Sequence, residues 1–252
     1  MSTAIPLPEF FVLSESEEMP MTMQVGMVGS NGIILASDRR WNMKSRLTRE
    51  MWGTTEHSLG SSKIKVDEAR GIAISCAADL IPARTLADKI LDAFKDQSVE
   101  HPAAVIEGEA STMIPSATAL NPPHCLVVFK GPPPRLFDAF YISSGDGKVI
   151  PQCLEVDDVG IAGHTTNAAL YWAQRYLKTV PKLPIEKLIP LAAHLIVTAG
   201  IINPGGISGL EIVYCDAAGF HRLSKEENCE WESKAESWDR QIGEMIFGNL
   251  GL

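Results

Sequence analysis

The stretch EEMPMTMQVGMVGSNGIILASDRR, residues 17–40, holds two strand-like runs, 22–28 and 32–36. The residues between them, Gly29-Ser30-Asn31-Gly32, tolerate the positive φ of a tight turn, so the pair predicts a β-hairpin. Its front edge is unusual. Met19, Met21 and Met23 bracket Pro20 and a lone Thr22, and the strand starts at once. The twenty residues before it, MSTAIPLPEFFVLSESEEMP, lack a basic start, are broken by prolines and end acidic, which is not a signal-peptide pattern.

Outward from the hairpin, 252 residues suit one large domain with a substantial core. A net charge of −9 argues against a phosphate-facing surface, so no nucleic-acid partner is expected. No apolar run approaches the roughly 20 residues of a membrane-spanning helix, and no membrane partner is expected. The five cysteines are odd in number and lack CxxC spacing. That pattern predicts neither a disulfide framework nor a zinc site, and a reducing cytoplasm as the setting. The six histidines show no HxxxH or HExxH spacing, so neither metal nor cofactor is expected.

Residues 62–66 alternate as a strand and 71–76 form a short apolar one. From Asp79 the period changes. Leu80, Ala83, Leu86, Ala87, Ile90, Leu91 and Phe94 mark an amphipathic helix ending near 96, and 99–116 is weakly helical. Strands are predicted over 125–129, 135–143 and 149–156, the last two across Gly145-Asp146-Gly147. Helices over 165–178 and 185–201 follow, then strands 210–215 and 220–223 and a charged helix over 225–247. The order is that of an α+β fold, with helices outside two stacked antiparallel sheets.

Asp38 leaves one strand and Lys63 opens the next. Burial would lower the lysine's pKa and a carboxylate would raise it, so such a pair can tune a neighbouring nucleophile. A structural ion pair at a strand end fits the same residues.

TMQVGMV followed by NGIILASDRR (31–40) resembles the opening of a proteasome β-type subunit, with its "DGIVLAADxR"-like second strand. Ser62-Lys63-Ile64 resembles that family's "SKI" strand and Ser75-Cys76-Ala77-Ala78-Asp79 its "GxxAD" segment. GIAGHTTNAALYWAQRY (160–176) is similar to its glycine-rich strand end and third helix, and Ser208-Gly209 to its "SGG" turn. The likeness runs over about 22–225, and includes bacterial proteasome-like N-terminal nucleophile (Ntn) hydrolases.

The resemblance implies a four-layer αββα sandwich over 22–252 and a peptide or protein substrate. It also implies a homo-oligomeric ring and a regulatory ATPase partner. Thr22 Oγ1 would attack a peptide carbonyl, with its own α-amine as base; that group titrates near pH 8, about neutral enough to accept a proton. Lys63, kept charged by Asp38, would lower the hydroxyl's pKa; the Ser75 backbone N–H would hold the oxyanion, and Ser208 would support the site. The sequence departs from the family at Gly205, where an aspartate is usual, and at Ser75 and Leu210, where glycines are usual. A catalytically silent scaffold or binding subunit is the alternative.

An α-amine base requires Thr22 to be the first residue, which makes 1–21 a leader, a propeptide or a misassigned start. Met21 before a small residue suits methionine trimming, and Glu17-Glu18 would be encoded by a purine-rich run resembling a ribosome-binding site. Other signals are weaker. His124 and Cys125 are adjacent on a strand and point to opposite faces, so they cannot pair as base and nucleophile. Gly206-Ile207-Ser208-Gly209-Leu210 narrowly misses a GxSxG elbow and leads into a strand, the wrong context. His194 on an apolar helix face reads as a core histidine. Trp231 and Trp238, seven apart, read as a packing stripe or a subunit contact.

Overall fold

A computed structural model of the chain describes residues 22–40, 62–77, 80–95, 100–113, 122–144, 148–163, 173–175, 177, 182–203 and 206–248. The leader 1–21, the polar span 41–61, Asp79, the turn 145–147, Gly205 and most of the helix expected over 165–178 lie outside these residues.

The hairpin forms as expected. Strand β1 (Met23–Val28) pairs antiparallel with β2 (Ile33–Ser37), in the register Gln24↔Ser37 to Val28↔Ile33. Alternation then sorts the side chains. Met23, Val25 and Met27 join one apolar cluster, while a Cβ at Gly26 would meet Leu35 and Leu136 on the opposite face. Both faces of this hairpin are therefore buried, which is why the run reads as nearly all apolar.

Eight further strands complete two sheets. They are β3 (Ile64–Asp67), β4 (Ile72–Ala77), β5 (His124–Phe129), β6 (Arg135–Ser143), β7 (Val149–Val156), β8 (Val159–Gly163), β9 (Glu211–Cys215) and β10 (Phe220–Arg222). One sheet runs β10-β9-β2-β1-β8 and the other β3-β4-β5-β6-β7, with antiparallel neighbours throughout. The helices are α1 (Leu80–Ala93), α2 (Pro102–Ser111), α3 (Ile185–Ile202) and α4 (Lys225–Phe247); residues 173–175 and 177 are also helical.

Three apolar clusters define the layers. In the first, β1, β2 and β9 meet α3 through Leu188, Ala192, Leu195 and Ile196, and α4 through Ala235. The second joins Ile72, Ile74, Val127 and Phe137 to Ala83, Leu86, Ile90 and Ile106 of α1 and α2. Between the sheets lies the third, built on Ile33, Leu35, Ile64, Leu126, Leu136 and Val213. Helices, sheet, sheet, helices: the four-layer αββα sandwich is observed. Each fully buried leucine between the sheets contributes about 1.5–3 kcal/mol.

Local signals set the element ends. Ser224 caps α4, accepting from the Glu227 N–H at 3.1 Å while the Glu227 carboxylate accepts from the Ser224 N–H at 2.7 Å. The Asn31 side-chain oxygen accepts from the Ile185 N–H at 2.8 Å, fastening the hairpin turn to the start of α3. Trp231 and Trp238 lie 6.3 Å apart and pack on the first cluster, so the stripe is packing.

Three sequence expectations change. Strand β8 was not predicted from pattern. Cys76 and Cys125, opposite one another on β4 and β5, form a disulfide on the face toward α1 and α2, where none was expected. And α3 does come close to membrane-spanning dimensions, with 18 residues and a mean hydropathy of 1.7. Here its buried side chains lie against the sheet of β1 and β2.

Candidate active site

The site forms at one end of the sandwich, where β1 starts, β2 has just ended and β3 is about to start. Those three termini carry Thr22, Asp38 and Lys63. Lys63 Nζ reaches both carboxylate oxygens of Asp38, each at 2.8 Å, and donates a short hydrogen bond to Thr22 Oγ1. Asp38 is 0% exposed, Lys63 3% and Thr22 9%. The structure therefore brings together the three residues singled out from sequence, although 41 positions separate Thr22 from Lys63.

Backbone contacts hold Asp38. Its Oδ1 accepts from the Met23 N–H at 3.0 Å and its Oδ2 from the Arg40 N–H at 3.1 Å, while its own N–H donates to the Met23 carbonyl at 3.1 Å. The carboxylate thus grips the strand at the residue after Thr22. Behind Thr22, Gly163 ends β8 at φ +93°, and a Cβ there would collide with the Thr22 carbonyl oxygen. Only glycine gives β8 this close approach.

Burial is the largest influence on both charged groups. It pushes the Asp38 carboxyl above its ordinary value and the Lys63 ammonium below its own, each opposed by attraction to the other. Lys63 was expected to stay charged through Asp38; the larger force acts the other way. Burying two charges costs more than a surface pair would, so this one is a poor device for stability alone. A desolvated lysine touching a hydroxyl is instead suited to moving a proton.

Ser75 lies inside β4 in the two-sided ladder Ile64↔Ser75↔Leu126. Its backbone is thus flanked by strands on both sides, and its hydroxyl shares the face of Ala73 and Ala77, between the sheets. That hydroxyl and the amide of Gln24 are buried with no hydrogen-bond partner among the described residues. Groups left so in an interior call for ordered water or a bound polar group. Ser208, expected to support the site, is exposed, and its carbonyl accepts from the N–H of Arg39, the residue after Asp38, at 2.9 Å. His124 and Cys125 do face opposite ways: His124 Nε2 meets Asp138 Oδ1 at 2.6 Å and Cys125 is in the disulfide.

One residue escaped the sequence analysis. Glu211 at the head of β9 is 5% exposed and accepts from the Lys63 N–H at 3.1 Å. The available signal was an acid inside the apolar run LEIVYC.

No protein-family model matches the chain, and no curated protein matches it. Among solved structures it is similar to Anbu (ancestral beta-subunit) from Yersinia bercovieri, with 15% identity, 92% of this chain and 99% of that one covered, and a TM-score of 0.64. It is also similar to Anbu from Pseudomonas aeruginosa, described as a helical assembly, at 15% identity, 89% and 95% coverage and a TM-score of 0.62. Anbu from Hyphomicrobium sp. strain MC1 matches at 14% identity, 88% and 96% coverage and a TM-score of 0.56. The likeness shows the fold. It is a proteasome-like fold, and it corrects the resemblance to proteasome β-type subunits read from the sequence. Those motifs belong to a shared architecture; the solved structures matched are Anbu proteins, and no family model or curated protein supports a proteasome β subunit.

Proposed function

We propose that the protein is a threonine-nucleophile peptidase or amidohydrolase acting on peptide or protein substrates within an assembly of like copies. The observation that carries this reading is the contact of Lys63 Nζ with Thr22 Oγ1 in a buried cluster closed by Asp38. The Thr22 O–H would give its proton to a neutral amine as Oγ1 bonds to the substrate carbonyl carbon. That amine is Lys63 once it has given up its own proton, a loss that burial of the ammonium favours. It is the α-amine of Thr22 wherever Thr22 is the first residue. The tetrahedral intermediate would then expel the leaving amine with the proton returned to it. Water would hydrolyse the resulting ester on Thr22. Assembly draws support from the P. aeruginosa Anbu, which forms a helical assembly.

The test combines N-terminal mass analysis of the native protein with labelling by an electrophilic β-lactone. Label is expected on Thr22 and lost in Thr22→Ala. Because burial holds the Lys63 amine below its ordinary value of 10.5, the labelling rate should rise with pH and level off before that value. An unlabelled protein with a confirmed Thr22 N-terminus would reduce the fold to a scaffold.

A further inference from the structure

The placement of Lys63 depends on more than Asp38. The β3 ladder begins only at Ile64↔Ser75, so Lys63 stands just outside it. Across the inter-sheet layer, Glu211 heads β9 on the face shared with Val213 and Cys215. Its Oε2 accepts from the Lys63 N–H at 3.1 Å and its Oε1 from the Ser62 hydroxyl at 2.5 Å. Arg222 of β10 pairs with the same Oε1, donates to Ser62 Oγ at 2.9 Å and donates to the Ile64 carbonyl at 2.8 Å.

Two side chains of one sheet thus grip three successive residues of the other, with the lysine at the centre. We infer that Glu211, held by Arg222, is the positioning residue for Lys63, fixing its backbone so that Nζ meets Thr22 and Asp38 together. This rests on the reading of Thr22 as nucleophile.

The chemistry supports a specific role over mere attachment of the sheets. Val213 and Cys215 already close the layer by apolar contact, which needs no buried acid. A carboxylate at this depth is costly unless it is paired and hydrogen-bonded, and each bond Glu211 accepts lies on the Lys63 segment or its Arg222 partner. The Lys63 amine is also lowered chiefly by burial, so loosening its backbone admits water and undoes that effect.

Full-length Glu211→Ala, Glu211→Gln and, as a remote destabilised control in the opposite helix layer, Ile106→Val are compared with the parent chain. Two readouts are taken: the pH titration of the Lys63 Nζ resonance in lysine-labelled protein, assigned with Lys63→Arg, and the β-lactone labelling rate of Thr22. Glu211→Ala is expected to slow labelling on the order of 100-fold, as a displacement of about 1 Å does at a catalytic group. It should also move the Lys63 titration up toward the ordinary lysine value. Glu211→Gln keeps a carbonyl acceptor for the Lys63 N–H and should recover most of both, while Ile106→Val should move neither.

An unchanged titration and labelling rate in folded Glu211→Ala overturns the inference, as does an equal change in Ile106→Val. Should Glu211→Ala not fold, Arg222→Ala, which removes the group that holds Glu211 and the Ile64 carbonyl, decides, and an unshifted Lys63 titration in it counts against the clamp. If the parent chain takes no label, the Thr22 reading fails and the Lys63 titration alone judges Glu211.

Discussion

At the end of the sandwich where β1 starts, Lys63 and Asp38 meet at 2.8 Å with both side chains shut away from solvent. At the opposite end, Arg135 and Glu155 meet at 2.5 Å with 42% and 43% of their side chains exposed. There the β1–β2 turn, Arg70, Lys130 and Asp216 surround an open cavity of about 880 Å³. Both pairs are short and correctly charged, yet water separates their consequences. The exposed pair has each partner held toward its charged form, while the buried pair has each partner pushed toward its neutral form. Distance alone identifies neither as functional. The cavity is the larger space, but its ion pair is screened by solvent, whereas the tight end holds the desolvated hydroxyl contact.

Removing one partner at each end tests that contrast. Asp38→Ala leaves the buried Lys63 without its carboxylate and should cost about 3–5 kcal/mol in chemical denaturation. A loss near that of a surface substitution would mean that water already reaches Lys63. Gly163→Ala comes next, because it forces a Cβ against the Thr22 carbonyl at a positive φ. It should destabilise by more than about 1 kcal/mol and reduce Thr22 labelling, whereas an unchanged labelling rate would show that β8 can retreat without moving Thr22.

Arg135→Ala should matter least, about 0–1 kcal/mol, with no effect on labelling. Its pH signature has a definite sign. The hydrogen bond from Arg135 holds the Glu155 carboxyl below its ordinary value of 4.5. The pair's small contribution is thus present above that value and disappears as pH falls through the lowered one. Denaturation of parent and variant should therefore converge in acid; a gap persisting there would mean that Arg135 acts through packing on Phe137, 4.8 Å from its ring centre.

Much of the architecture was legible from residues 22–37, because two short apolar runs joined by Asn31-Gly32 specify a hairpin by local chemistry. The α1 stripe was equally local. The buried positions Ala83, Leu86, Ala87 and Ile90 are those its period marked. Strand β8 was missed because VGIAG is short, glycine-rich and follows β7 after only Asp157-Asp158, so it offers little alternation of its own. The disulfide and the Glu211 contact escaped for a different reason. Cys76 meets Cys125 over 49 residues, and Lys63 meets Glu211 over 148. Pattern tells which face a side chain takes, but not which distant strand lies opposite. Asp38 and Lys63 drew notice by their places at two strand ends, which local pattern does show; that Glu211 lies beside them it does not.

The paired register of β1 has one more consequence. This strand is fixed on both sides, with Gln24 opposite Ser37 in β2 and Ala162 in β8. Sliding it by a single residue would turn Met23 toward Lys63 and send the Thr22 hydroxyl to the helix layer, since neighbouring positions face opposite ways. Intermediate settings do not exist on such a ladder. The address of the Thr22 hydroxyl is digital: small disturbances elsewhere in the molecule leave it untouched, and a disturbance large enough to reach it removes it altogether.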